Sequence, residues 1–138
     1  LVTFQGRWHK ITDAGINPLP VQQPIPIWFG GGADPVLRRI GRLGDGWFPL
    51  LRSDEKCRAA LDSLRSYAVE AGRDPAAIGI EGRVNIGSQS PEQWVEETTK
   101  WKELGATHVS FNASRAGLSG PGAHIDAVRR FKEAVDKG

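Results

Sequence analysis

The sequence predicts an α/β fold of four parallel βα units, half of a (β/α)8 barrel, behind an extended proline-rich arm. Three observations predict it. From Pro24 onward, short apolar runs alternate strictly with stretches of helical periodicity, which implies a parallel sheet with right-handed crossovers. The first three helical stretches each stop at a glycine, Gly44, Gly72 and Gly105, the residue that most readily ends a helix. The later strands are two-faced. Glu81, Arg83 and Asn85 oppose Ile80, Val84 and Ile86, while His108, Ser110 and Asn112 oppose Val109, Phe111 and Ala113. A doubly wound sheet, the other architecture that fits the alternation, buries both faces of its central strands and reads apolar throughout. One apolar face suits a helix layer, and one polar face suits a shared barrel interior. Half a barrel is the better reading. A whole barrel needs about 250 residues, and this chain has 138.

Each element has its local reasons. Residues 1–23 form an arm or connector: "VTFQGRWHKI" alternates loosely as an extended arm or a hairpin, and "GINPLPVQQP" is too rich in proline for a helix or central strand. Residues 24–138 hold the four units. The first strand is expected over Pro26–Gly30. Its helix takes Asp34 as N-cap and Pro35 in its first turn, and presents Val36, Leu37, Ile40 and Leu43. The second strand spans Gly46–Leu50, and its helix opens at Ser53 with Cys57, Ala60, Leu61, Leu64 and Ala68 on one face. "RDPAAI" adds a short capped turn. The third strand runs Gly79–Gly87; "SPEQ" then gives a capping box between Ser90 and Gln93, and Trp94, Val95, Thr98, Trp101 and Leu104 form the buried stripe. The fourth strand is His108–Ala113, followed by a glycine-rich loop and a helix that turns Ile125, Val128, Phe131 and Val135 inward.

The totals narrow the function classes. A hydrophobic fraction of 39% with 25% charged residues reads as soluble and globular, and no run approaches the roughly 18 apolar residues of a membrane span. No basic-then-apolar start suggests secretion, so a cytoplasmic protein is expected. The net charge is +2, with Lys and Arg scattered among acids, whereas nucleic-acid binding needs a concentrated basic face. The expected partner is a small-molecule substrate, not nucleic acid or membrane, and pairing into a homodimer stays open. The single Cys57 excludes an internal disulfide and reads as a packed thiol in a reducing compartment. There is no Met, and the chain begins at Leu1, so it is expected to be a piece of something longer.

In either architecture the functional end is the carboxyl end of the strands. Four loops gather there: "GGGAD", "PLLRS", "IGSQS" and "NASRAGLSGPG". Glycines where a strand meets a helix let a ligand approach the backbone, and the helix N-terminus favours an anion. The alternative is a tight turn that needs positive φ. The spacing is not that of a Rossmann fingerprint. Arg52 and Arg115 lie just beyond the second and fourth strands and suit an anionic substrate or cofactor tail. Asn112 is on the polar face near its strand's end. His108 is at the opposite end and reads as a buried structural histidine. Glu81 and Arg83 are read as a structural pair inside a barrel, and Trp94 and Trp101 as core. His9 and His124 have no carboxylate or cysteine at ligand spacing, so no metal site is indicated. No nucleophile–base pair can be assembled, so the catalytic residues are not identified.

The run "GINPLPVQQPIPIWFGGGADPVLRRIGRLGDGWFP" resembles the luciferase-like monooxygenase family, which includes bacterial luciferase and deazaflavin-dependent oxidoreductases. The pieces that carry it are "FQGRW", "PLPVQQPIPI", the glycines after that strand, and "DGW"; "AGRDPAAIGIEGRV", "LGATHVSFN" and "AGLSGPGAHIDAVRRF" are similar to a deazaflavin-dependent subgroup. The family fold is the TIM barrel, so the resemblance implies its second half, strands five to eight. It also implies FMN or a deazaflavin (coenzyme F-420) across the carboxyl face, and reduction or oxygenation of a small organic substrate. Gly30, Gly31, Gly32 and Ala33 match the loop that passes close to the cofactor in relatives. Asp45 reads as mainly structural, with Trp47 facing the substrate pocket beside Arg52, Asn112 and Arg115. The family's catalytic groups come mostly from the first four strands, so the resemblance implies that this chain alone is inactive. Two readings compete: a stand-alone doubly wound phosphate- or nucleotide-binding module, and a different barrel enzyme acting on a sugar phosphate.

Overall fold

A computed structural model describes residues 1–87 and 89–138; Ser88, within the "IGSQS" loop, lies outside the described residues. The N-terminal stretch takes the hairpin alternative. Strand β1 (Val2–Gln5) pairs antiparallel with β2 (Lys10–Ala14), Phe4 opposite Ile11, and every residue of both is exposed. Residues 15–27 contain no helix or strand.

Four further strands form one parallel sheet in the order β3 (Trp28–Gly30), β4 (Gly46–Phe48), β5 (Gly79–Asn85), β6 (His108–Asn112). Sequential order is the half-barrel expectation, not the doubly wound one. The first two strands are shorter than the sequence suggests, and proline explains it. Pro26 and Pro49 have no N–H to give a ladder, so pairing starts after one and stops before the other.

Helices α1 (Asp34–Leu43), α2 (Glu55–Glu70), α3 (Pro91–Glu103) and α4 (Gly120–Lys137) follow the strands in turn, with a 3-10 turn at Pro75–Ala77. Their apolar stripes join Trp47, Ile80 and Val84 in a single core cluster, so the helices cover one face of the sheet. The indole of Trp101 fills the space over Gly82 and donates to the Arg83 carbonyl at 3.3 Å. α1 and α2 meet at Gly41, where a Cβ would come within 2.7 Å of the Tyr67 Cβ.

The caps refine the sequence reading. The α3 capping box is complete, Ser90 and Gln93 each accepting from the other's backbone. The cap of α2 is Asp54, accepting from the Cys57 N–H at 3.1 Å, and the neighbouring Ser53 hydroxyl instead donates to Glu97 at 2.7 Å. Ala33, not Asp34, stands at the α1 N-cap, because Asp34 is already helical and its carboxylate accepts from Arg38 and Tyr67. In α4 the inward residues are Ala127, Phe131 and Ala134, whereas Ile125 and Val128 are half exposed. The stripe is shifted because Phe131 docks edge-on against Phe111 of β6 and fixes which side faces in.

Candidate functional site

The uncovered face of the sheet has two unlike ends. At the amino end, Trp28 lies across Gly46 and Gly79, touches Phe48 at 5.1 Å between ring centroids and meets His108 edge-on at 5.2 Å. Glycine on two neighbouring strands gives the indole its bed. Trp28, Phe48, Glu81, His108 and Ser110 line a shallow hollow of about 460 Å³. His108 is therefore exposed and hydrogen-bonded to Thr107 at 2.8 Å, not the buried histidine the sequence suggested. Glu81 and Arg83 form no ion pair among the described residues: Glu81 lines this hollow, and Arg83 points to the other end.

At the carboxyl end, the β3 strand runs into the glycine loop. A Cβ at Gly30 would meet nothing within 4 Å, Gly31 holds φ +109°, and a Cβ at Gly32 would lie 3.5 Å from the Leu51 side chain. The loop is held from below. The Trp47 indole donates to the Gly31 carbonyl at 2.6 Å, and the Gly31 N–H donates to Phe48 at 3.3 Å. Ala33 caps α1 without a side-chain acceptor, so no side chain satisfies the first turn's N–H groups.

Trp47 corrects an expectation. It is fully buried under the helices, with no surface left for a substrate, and its role is to position Gly31. The strand alternation explains it: Phe48, not Trp47, faces the open side. Asp45 is structural as read. Its carboxylate accepts from the Ile27 N–H at 2.8 Å and its carbonyl from Gly79 at 2.9 Å, tying β3 to β4 and β5.

Arg52, Asn112 and Arg115 come together. They line one cleft of about 760 Å³ at the ends of β4, β5 and β6, with Arg83, Asn85 and Glu97 as further walls. The Asn112 side-chain amide donates to the Asn85 Oδ1 across the strands at 2.7 Å, and its own Oδ1 accepts from the Ser114 N–H at 3.0 Å. That bond anchors the loop carrying Arg115, a non-glycine residue at φ +64°. The cleft adjoins the glycine loop through Leu51, which is next in sequence to Arg52 and whose side chain would lie 3.5 Å from a Cβ at Gly32. Sequence reasoning missed Arg83 and Asn85 as cleft residues, although their place on the polar face of β5 was the available signal. Among the described residues, no group of three or more His, Cys, Asp or Glu side chains could hold a metal. Among the described residues, no helix is long and apolar enough to cross a membrane.

Comparison with known proteins places this geometry. A family model described as luciferase-like monooxygenase matches residues 1–136. An F420-dependent glucose-6-phosphate dehydrogenase of Kineococcus radiotolerans is 29% identical over 109 residues, 77% of this chain and 32% of that protein. An FMNH2-dependent dimethylsulfone monooxygenase of Pseudomonas putida is 30% identical over 83 residues, 59% of this chain and 23% of that protein. The fold is similar to that of the F420-dependent tetrahydromethanopterin reductase of Methanopyrus kandleri, with a TM-score of 0.52 and 16% identity over 96% of this chain and 49% of the reductase. The chain thus spans less than half the length of each of these proteins.

Proposed function

The chain belongs to the luciferase-like monooxygenase family, and from that premise we propose that it contributes the second half of a (β/α)8 barrel oxidoreductase. The enzyme uses reduced FMN or a deazaflavin to reduce or oxygenate a small organic substrate. Relatives of both cofactor types support leaving the two cofactors side by side. Sequential parallel strands with helices on one face support the barrel.

The observation that carries the reading is the open backbone at Gly30 and Gly31. The space beside Gly30 is empty within 4 Å, and Gly31 adopts a conformation that side chains rarely take, so a planar or anionic group can lie against the main chain there. Gly30, Gly31, Gly32 and Ala33 would hold the cofactor, which supplies a two-electron reductant when bound. Trp47 fixes the loop's height through the Gly31 carbonyl. Arg52, Asn112 and Arg115 face the substrate side, and Trp28 closes the amino end of the inner face. The proton-transfer groups would come from the strands that complete the barrel, so this chain alone should bind more than it catalyses.

Titration with FMN and with a deazaflavin tests the reading. A chromophore that stays bound through gel filtration and is lost when Gly30→Val is introduced is the expected result. A protein that retains neither chromophore would favour the phosphate-binding module.

A further inference from the structure

We propose that Arg52, Arg83 and Arg115 form a single oxyanion site that takes a phosphate-type dianion on the substrate. The assignment rests on the reading above, in which the glycine loop holds the cofactor and leaves this cleft to substrate.

Three guanidiniums from three successive strand ends line one hollow. None of them has a carboxylate within ion-pair distance among the described residues, although arginines elsewhere on the surface do. The one acid among the described residues of the cleft, Glu97, is half buried and held by the Ser53 hydroxyl at 2.7 Å. Three positive charges and one negative leave a net +2 in the hollow. Like charges repel, and a chain that gathers them without counter-charges leaves room for an anionic ligand to supply the balance.

The backbone is arranged for it. Arg83 projects from the inner face of β5, between the loops carrying the other two. Arg115 is held in the left-handed region by a loop that the Asn85–Asn112 amide pair anchors, and non-glycine residues in that region cluster at functional sites. The chemistry selects the ligand class. One guanidinium fork satisfies a carboxylate, whereas three arginines borne by three separate segments of one cleft suit the three oxygens and double charge of a phosphate monoester.

Inorganic phosphate is the probe, titrated into the protein calorimetrically with and without saturating FMN. Saturable binding is expected, unaffected by FMN and not displaced by equimolar acetate. Arg83→Gln and Arg115→Gln should each weaken it about tenfold or more, the loss of a charged hydrogen bond. Arg83→Lys should lie between, and Arg129→Gln, on the outer surface of α4, should leave it unchanged. Circular dichroism on each variant separates lost binding from lost folding. Acetate binding as tightly as phosphate, or indifference to both glutamine variants, would overturn the proposal. So would competition between phosphate and FMN, which would give the arginines to the cofactor. Phosphate binding in a protein that takes up neither cofactor would leave this site standing and remove only the redox reading.

Discussion

The indole of Trp28 rests on Gly46, so closely that a Cβ on the glycine would fall among the fused-ring atoms. The ring continues across to Gly79, whose Cβ would lie 2.7 Å from the far edge of the six-membered ring. Trp28, Gly46 and Gly79 are register partners on three adjacent strands. One side chain thus covers the amino end of the inner face and leaves the carboxyl end to the polar residues of the cleft.

Gly46→Ala should destabilise the fold by about 1–3 kcal/mol, the usual range for forced overpacking. Gly79→Ala should be milder, because it meets only the ring's edge. Adding Trp28→Ala to Gly46→Ala should recover part of the loss. A urea double-mutant cycle measures this coupling, and purely additive effects would show that ring and glycine are independent.

Arg73 is the fold's unadvertised cap. Its guanidinium donates to the carbonyls of Ile40, Gly41 and Gly44 at 3.1, 3.0 and 2.7 Å, closing the carboxyl end of α1. These are charge-assisted bonds at the helix end, where carbonyls run short of backbone donors; Ile40 alone of the three also accepts the Gly44 N–H, at 2.8 Å. Arg73→Ala should lower stability by about 2–3 kcal/mol in a denaturant titration, with Arg73→Lys losing less. A loss near zero would mean that water serves these carbonyls equally well.

Local rules made much of this legible. The capping box at Ser90 and Gln93, the alternation on β5 and β6, and the glycine stops are nearest-neighbour signals, and the sequential sheet follows from them. What escaped depends on distant partners. Arg73 reads as a loop arginine until α1 folds over it, Trp47 faces inward only once β4 pairs in register, and Ile125 loses its inward place to the Phe131–Phe111 contact. The cleft was half visible: Arg52, Asn112 and Arg115 could be placed at strand ends, but their meeting with Arg83 is a fact of three dimensions.

Gly30 and Gly31 should behave differently on substitution. Gly31→Val forces a β-branched residue to φ +109°, so it should lower both stability and cofactor affinity. Gly30→Val adds bulk to open space and should leave the melting temperature within about 2 °C, a surface-like effect. Its FMN or deazaflavin affinity should nonetheless fall at least tenfold. Unchanged affinity in Gly30→Val would reduce the loop to a tight turn.

Cys57 is fully buried, and burial, with the nearby Asp54 charge adding to it, pushes its thiol up to about 11 from an ordinary 9.0. Unfolding releases a more acidic thiol, so its contribution to stability is complete below about pH 9 and is lost as pH rises toward 11. Cys57→Ala should therefore flatten the decline of stability in that window. A thiol reagent at pH 8 should label the native protein only slowly and the denatured protein at once, and rapid native labelling would place the thiol at the surface.

Surface area sets the last expectation. The chain exposes 9628 Å², whereas a compact monomer of 15.0 kDa exposes about 7,000 Å². The excess lies where the structure is uncovered. Phe4, Trp8, Ile16, Val21 and Ile27 are all more than half exposed, β3 and β6 are open sheet edges, and among the described residues no helix or strand layer faces the inner side of the sheet. Parallel sheets are normally covered on both faces, and unpaired edges recruit other chains. The excess is comparable to what obligate partners bury. The chain on its own should therefore self-associate, eluting from gel filtration as a dimer or larger at micromolar concentration. Trp8→Ser together with a lysine in place of Val21 should shift it toward the monomer. A sharp, concentration-independent monomer peak for the unaltered chain would show that this surface is tolerated without a partner.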